Sequence, residues 1–229
     1  MTDSTRPFGG DTARHIARAF LPNRWYGNRH DYYYTLAKLR TDPLYPGALA
    51  ALRGSALPVL DLGCGLGLFA HALRADRQPL PYVGVDIDAG KIARGRDIAV
   101  RAGLADVRFE VCDLGTGVPA HAGSVVLLDV LQYLSLERQH ALLADAIAML
   151  VPGARLVIRT GLADATRRGR TTRITDRLAH TVGWMQELPK QYPTRERLFA
   201  QLDAAGLEAD FRPLYGSTPF NNWLIVAGR

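Results

Sequence analysis

The sequence predicts an α/β domain: a seven-stranded, mostly parallel sheet with helices on both faces and an antiparallel last strand. Three observations predict it. Five short apolar runs alternate with helical stretches between residues 57 and 161, the rhythm of strands joined by helical crossovers. The first run opens through a glycine-rich turn, Gly63-Cys64-Gly65-Leu66-Gly67, into a helix. Four successive strand ends carry an aspartate, Asp61, Asp86, Asp113 and Asp129, at the edge where open α/β sheets bind ligands.

In chain order, residues 1–10 hold Pro7, Gly9 and Gly10 without periodicity and read as a loose tail. Residues 11–53 show apolar spacing of helical type around Ile16, Phe20 and Leu21, and again around Leu36 and Leu39, with breaks at Pro22, Gly27 and Pro43. This part, residues 1–53, is expected to be a helical lid; residues 54–229 are expected to form the main domain. The five strands follow as Val59–Leu62, Tyr82–Asp86, Val107–Val111, Val125–Leu128 and Leu156–Ile158. Between them Phe69–Ala75, Ala89–Ala102 and Leu136–Leu150 read as helices. Gly103 suits a C-cap, Ser135 an N-cap, and Pro152-Gly153 a stop. Residues 162–192 break the rhythm and are expected to be an inserted cap. A last helix spans 194–205, capped by Thr194 and ended by Gly206. The runs Leu207–Pro213 and Trp223–Ala227 have no helix between them, so they should pair antiparallel.

Composition narrows the function classes. The chain has 229 residues, 48% of them hydrophobic, and a net charge of +6, ordinary for a folded domain. Its two cysteines, Cys64 and Cys112, exclude a disulfide scaffold. No apolar run reaches the length of a membrane span, and the first twenty residues hold no apolar export core, so a cytoplasmic protein is expected. The cations are almost all arginine, with lysine only at 38, 91 and 190. No closely spaced His/Cys set suggests a metal site.

The strand ends carry the chemistry. The glycines of the first turn let a ligand lie against main chain, beside the free N–H groups of a helix start. Asp86, about 20 residues on, suits a pair of ribose hydroxyls, because one carboxylate accepts two hydrogen bonds. Asp113 suits an adenine amino group. A nicotinamide dehydrogenase is the rival for such a turn, but its fingerprint wants a small residue where this chain has Leu68.

On these residues the chain resembles the class I S-adenosylmethionine (SAM)-dependent methyltransferases, over roughly residues 57–161. Asp61, Gly63, Cys64 and Gly65 resemble the motif that wraps the methionine part of the cofactor. Asp86 matches the ribose-binding acid and Ile87 the residue packed on adenine. Asp113 and Leu114 match the adenine edge; Asp129, Val130 and Leu131 match the motif beside the transferred methyl. The resemblance implies a Rossmann-like fold, with SAM as cofactor and S-adenosylhomocysteine as product. Gln132 stands where many small-molecule members carry histidine. A looser similarity, over 24–45 and 218–223, is to methyltransferases of bacterial polyketide and aryl-polyene pigment pathways.

The expected function is methyl transfer to a small or carrier-bound organic acceptor of phenolic or polyketide type, with an acyl carrier protein as one candidate partner. Such a displacement demands chiefly alignment of nucleophile, methyl and sulfur, and a base only for a protonated acceptor. His30 and His180 are the candidate bases. Tyr26, Tyr33, Tyr34 and Trp184 are the candidate acceptor contacts. The basic run Arg167–Arg173 could meet an anionic group. Two other readings stand beside this one. An RNA methyltransferase is disfavoured by the lack of an RNA-binding module and of an Asn/Asp-Pro-Pro-Tyr-like tetrad after the fourth strand; the other is a catalytically silent SAM-binding scaffold.

Overall fold

In the computed structural model, residues 5–163, 190–216 and 221–229 are described. His180, Trp184, the run Arg167–Arg173 and most of the expected cap lie outside the described residues, as do 217–220.

Seven strands form one sheet: β1 (Val59–Leu62), β2 (Tyr82–Asp86), β3 (Val107–Val111), β4 (Ser124–Leu128), β5 (Arg155–Gly161), β6 (Glu208–Pro213) and β7 (Asn222–Gly228). Their order is β3-β2-β1-β4-β5-β7-β6. Neighbours from β3 to β5 are parallel, and β7 runs antiparallel to both β5 and β6. The order reverses beside β1: β2 and β3 lie on one side of it, β4 and β5 on the other. That switch point opens a crevice at the strand ends, and it lies above the glycine turn.

Among the described residues the helices are α1 (Gly10–Ala17), α2 (His30–Thr41), α3 (Leu44–Leu52), α4 (Leu68–Ala75), α5 (Ala89–Arg101), α6 (Leu136–Ala148) and α7 (Arg195–Ala204). Local sequence explains their ends. The side chains of Asp88, Ser135 and Thr194 accept the N–H groups of Lys91, Arg138 and Arg197 and so cap α5, α6 and α7. Gly103, Gly153 and Gly206 take left-handed backbone angles after α5, α6 and α7.

Alternation along the strands sends side chains to opposite faces. Leu60 and Leu62 of β1 join a core with Leu142 and Leu143 of α6 and Leu198 and Leu202 of α7. Val59 faces the other way, with Leu49 and Leu52 of α3, Phe69 and Leu73 of α4 and Ile92 of α5. This second set corrects the expected lid. Residues 44–52 do not close over the strand ends; they form α3, an apolar helix whose burial is satisfied only by covering a face of the sheet. Helices α1 and α2 pack elsewhere. Ile16, Phe20 and Leu39 pack on Leu68 at the start of α4 and Ile98 of α5, which sets these helices outside the sheet and beside the crevice.

Candidate functional site

The first wall of the crevice is the turn after β1. Gly63 has a φ of +85°, and a Cβ there would collide with the side chain of Val130, so the turn and the end of β4 touch. Gly65, at φ +57°, faces open space. Both conformations are glycine conformations. The N–H groups of Gly63 and Cys64 both donate to the Val85 carbonyl, at 2.8 and 2.9 Å. Beneath them Asp61 is buried. The Tyr82 hydroxyl donates to its Oδ2 at 2.5 Å, and its Oδ1 has no partner. Burial raises the Asp61 carboxyl to about 7, the Tyr82 hydrogen bond opposes the shift and nearby Asp86 adds to it. Burial likewise pushes the Cys64 thiol well up, so it is no nucleophile.

The second strand end is built as rigidly. Asp86 Oδ2 accepts the Gly65 N–H at 2.9 Å and Oδ1 accepts the Asp88 N–H at 2.9 Å. Two backbone donors fix the carboxylate, and each oxygen keeps a lone pair for a ligand hydroxyl. Ile87 beside it is 65% exposed, an apolar face without protein cover. At the third strand end Asp113 is exposed and accepts the Gly115 N–H at 2.7 Å through Oδ1.

The fourth strand end holds what the sequence reading missed. Asp129 has a φ of +62°. One of its oxygens pairs with the Arg159 guanidinium and the other accepts from Lys38 Nζ at 3.1 Å. Arg159 also donates to both oxygens of Asp42, at 2.9 Å each, and Lys38 reaches Asp42 at 2.7 Å. Two cations and two anions thus close a ring, two from the N-terminal segment and two from β4 and β5. Burial works against the charges of Lys38 and Asp42, but their partners outweigh it: Lys38 is held protonated well above its usual range, and Asp42 is lowered to about 2. Signals for the ring exist. Arg159 interrupts the apolar run Leu156-Val157-Ile158, and Lys38, a rare lysine here, precedes Asp42 by one helical turn.

The remaining expected residues scatter. Leu114 and Leu131 turn their side chains into the core, which limits them to main-chain contacts with a ligand. Tyr34 stacks loosely on His30, with ring centres 6.3 Å apart, and lies one turn from Lys38. Tyr33 and Tyr26 are exposed, and Tyr26 packs with Trp25 and Arg24. His30 starts α2 beside Asp31, which also pairs with Arg94 of α5 at 3.3 Å. It lies eight residues, about 12 Å along the axis, from Lys38, so the structure does not bring it to the end of β4. Gln132 is buried, accepting from the Thr160 hydroxyl at 3.1 Å.

A methyltransferase-domain family model matches residues 53–192, more than half of the chain, and those residues contain all four strand ends. The chain belongs to the class I SAM-dependent methyltransferases. Curated relatives match over parts. A 23S rRNA (uracil(1939)-C(5))-methyltransferase RlmD of Stenotrophomonas maltophilia is 52% identical over 56 residues, 24% of this chain and 12% of that protein. The chain therefore spans far less than two thirds of that relative's length. Solved structures share the fold over most of the chain. The pyocyanin biosynthetic protein PhzM aligns with a TM-score of 0.65 at 18% identity, covering 88% of this chain and 57% of that one. Magnesium protoporphyrin IX methyltransferase (ChlM) from Synechocystis PCC 6803, solved with bound S-adenosylhomocysteine, aligns with a TM-score of 0.62 at 17% identity, covering 96% and 93%.

The cofactor of this methyltransferase is SAM, and its crevice fits that molecule. It offers a fixed carboxylate with spare lone pairs, an uncovered apolar face beside it, an open glycine turn, and one buried carboxylate oxygen without a partner. A buried polar atom left orphaned is rare and calls for a partner. Among the described residues no three His, Cys, Asp or Glu side chains group as metal ligands would, and no helix is long and apolar enough to cross a membrane.

Proposed function

We propose that this methyltransferase acts on a small or carrier-bound organic acceptor, with a phenolic or polyketide-like molecule as the favoured class. The observation that supports this most is helix α2. It runs from α5, through Asp31–Arg94, to the end of β4, through Lys38–Asp129, and so carries the aromatic side chain of Tyr34 to the crevice. Tyr45, at the start of α3, is half-buried and stacks on Phe69 of α4, with ring centres 6.3 Å apart, so Tyr34 is the ring that α2 presents. Aromatic rings at a crevice suit a flat, apolar acceptor.

In this reading Asp86 accepts the two ribose hydroxyls and Ile87 covers one face of adenine. Asp113 and the Leu114 main chain meet the adenine edge. Asp61 and the turn Gly63-Cys64-Gly65 receive the methionine part, and Asp129 to Leu131 border the reacting end. Bound SAM supplies an electrophilic methyl group on a sulfonium. The protein's task is then alignment and exclusion of water; a carboxylate or an already ionised phenol needs no base.

RNA is the second reading. It is supported by the short, high identity to RlmD and by the excess of arginine. One experiment separates the readings. S-adenosylhomocysteine is titrated by calorimetry into wild type and Asp86→Ala, and transfer from labelled SAM is then followed to phenols, acyl-carrier thioesters and RNA. We expect micromolar binding that weakens at least tenfold in the variant, since a hydrogen bond to a charged group contributes about 1.5–3 kcal/mol, and transfer to phenols or carrier-bound acyl groups. Labelled RNA with unlabelled small acceptors would replace the first reading by the second.

A further inference from the structure

We propose that Lys38 is a positioning residue for the cofactor: from helix α2 it holds Asp129 in place, and Asp129, through Val130, sets the glycine turn against which the cofactor lies. The inference rests on the cofactor site described above.

Each link is a contact. Asp129 is the residue that leaves β4, and its N–H still donates to the Arg159 carbonyl at 2.8 Å, as a last rung between β4 and β5. Its φ of +62° is unusual for a residue with a side chain. Among the described residues only Arg77 and Asp106 share this sign of φ without being glycine, and both lie in turns before the starts of β2 and β3 rather than at the carboxyl ends of strands. A left-handed aspartate at a strand end must be held there by its surroundings. Here the holders are the Arg159 guanidinium and the Lys38 ammonium. The next residue, Val130, packs its side chain into the space that a Cβ on Gly63 would fill. Gly63 begins the turn that ends, two residues later, with the Gly65 N–H on Asp86. Any rotation of Asp129 therefore moves the wall of Gly63 and, with it, the donor that fixes Asp86.

Arg159 belongs to the neighbouring strand and would hold Asp129 whether or not α2 were docked. Lys38 comes from 91 residues away in the chain. Its side chain is 22% exposed and that of Asp129 24%, against 3% for Arg159, so this contact forms the crevice side of the ring. Lys38 uses two of its three N–H donors on Asp42 and Asp129. The charges are fixed over the working range: Asp42 ionises near 2, and Lys38 keeps its proton far above neutrality. The N-terminal segment is thereby part of the cofactor site rather than a cover for the acceptor alone.

The test is a double-mutant cycle read by S-adenosylhomocysteine affinity and by thermal melting. Wild type must bind first; failure there would sink the cofactor site itself and not this inference. Lys38→Met should weaken binding at least tenfold, and Lys38→Arg should return it to within threefold of wild type, since arginine keeps the charge. In an Asp129→Gly background, where the backbone takes a positive φ without help, Lys38→Met should cost less than a further twofold. Wild-type affinity in Lys38→Met, or an equal loss in the glycine background, would overturn the proposal, because Lys38 would then act only on stability or through Asp42. If Lys38→Met fails to fold, Lys38→Gln, which keeps a donor but gives up the ammonium, takes its place in the cycle with the same expected outcomes, and unchanged affinity would refute the inference.

Discussion

The ends of β1 and β2 and the ends of β4 and β5 serve the same crevice, yet they are built in opposite ways. The first pair is local and neutral in its supports. Asp86 is fixed by two backbone N–H groups, those of Gly65 and Asp88, and the turn rests on its glycines, with the Val130 side chain packed against Gly63. The second pair is assembled from afar. Asp129 depends on cations from β5 and from a helix 91 residues upstream, and those cations depend on Asp42. Backbone donors hold a carboxylate with no desolvated counter-charge, so side-chain losses there should reach ligand affinity without reaching the fold. A closed ring of buried charges couples the two, because removal of one member leaves another unpaired in a poor solvent for charge.

The sharpest break of this comparison is Arg159→Met. It removes the hub of the ring and strands Asp42 with Lys38 alone, so it should destabilise the protein by about 3–5 kcal/mol, seen in denaturant or thermal unfolding. Asp86→Ala, in contrast, should melt close to wild type while losing cofactor affinity. Similar melting of the two variants would remove the distinction between the regions.

Asp61→Asn tests the buried carboxylate on the local side. Its pKa of about 7 lies above the unfolded value, so between about pH 4 and pH 7 the folded chain holds a proton that the unfolded chain has released. Stability contributed by this group therefore falls as pH rises through that window. The asparagine still accepts from Tyr82 and carries no charge, so its advantage in melting temperature over wild type should be larger at pH 8 than at pH 5. An advantage independent of pH would show that Asp61 ionises normally.

The smallest effect is expected at His30. It is exposed, and it stands at the far end of α2 from Lys38, so His30→Ala should change kcat/KM by less than about threefold at any pH. A loss in the range of general-base catalysis, about a hundredfold or more, would mean that α2 lies differently over the crevice during turnover.

The local side was the legible side. Val59–Leu62 followed by spaced glycines, an aspartate at the end of each early strand, and caps such as Ser135 and Thr194 are short-range patterns, fixed by backbone geometry within a few residues. They determined the sheet, its crossovers, the reversed last strand and the aspartates at the strand ends. Asp129 was legible as a position but not as a conformation. Its left-handed backbone and its two cations follow from strands and helices meeting in space. Lys38, Asp42 and Arg159 carry no spacing that announces one another, and Leu44–Leu52 reads as apolar helix without saying which surface it covers. Only the tertiary structure decided that α3 lies on the sheet, that α2 reaches the end of β4, and that a ring of four charges joins them. The physical reason is that buried ion pairs and apolar faces choose partners by proximity, and proximity between residues some ninety positions apart is set by the packed fold.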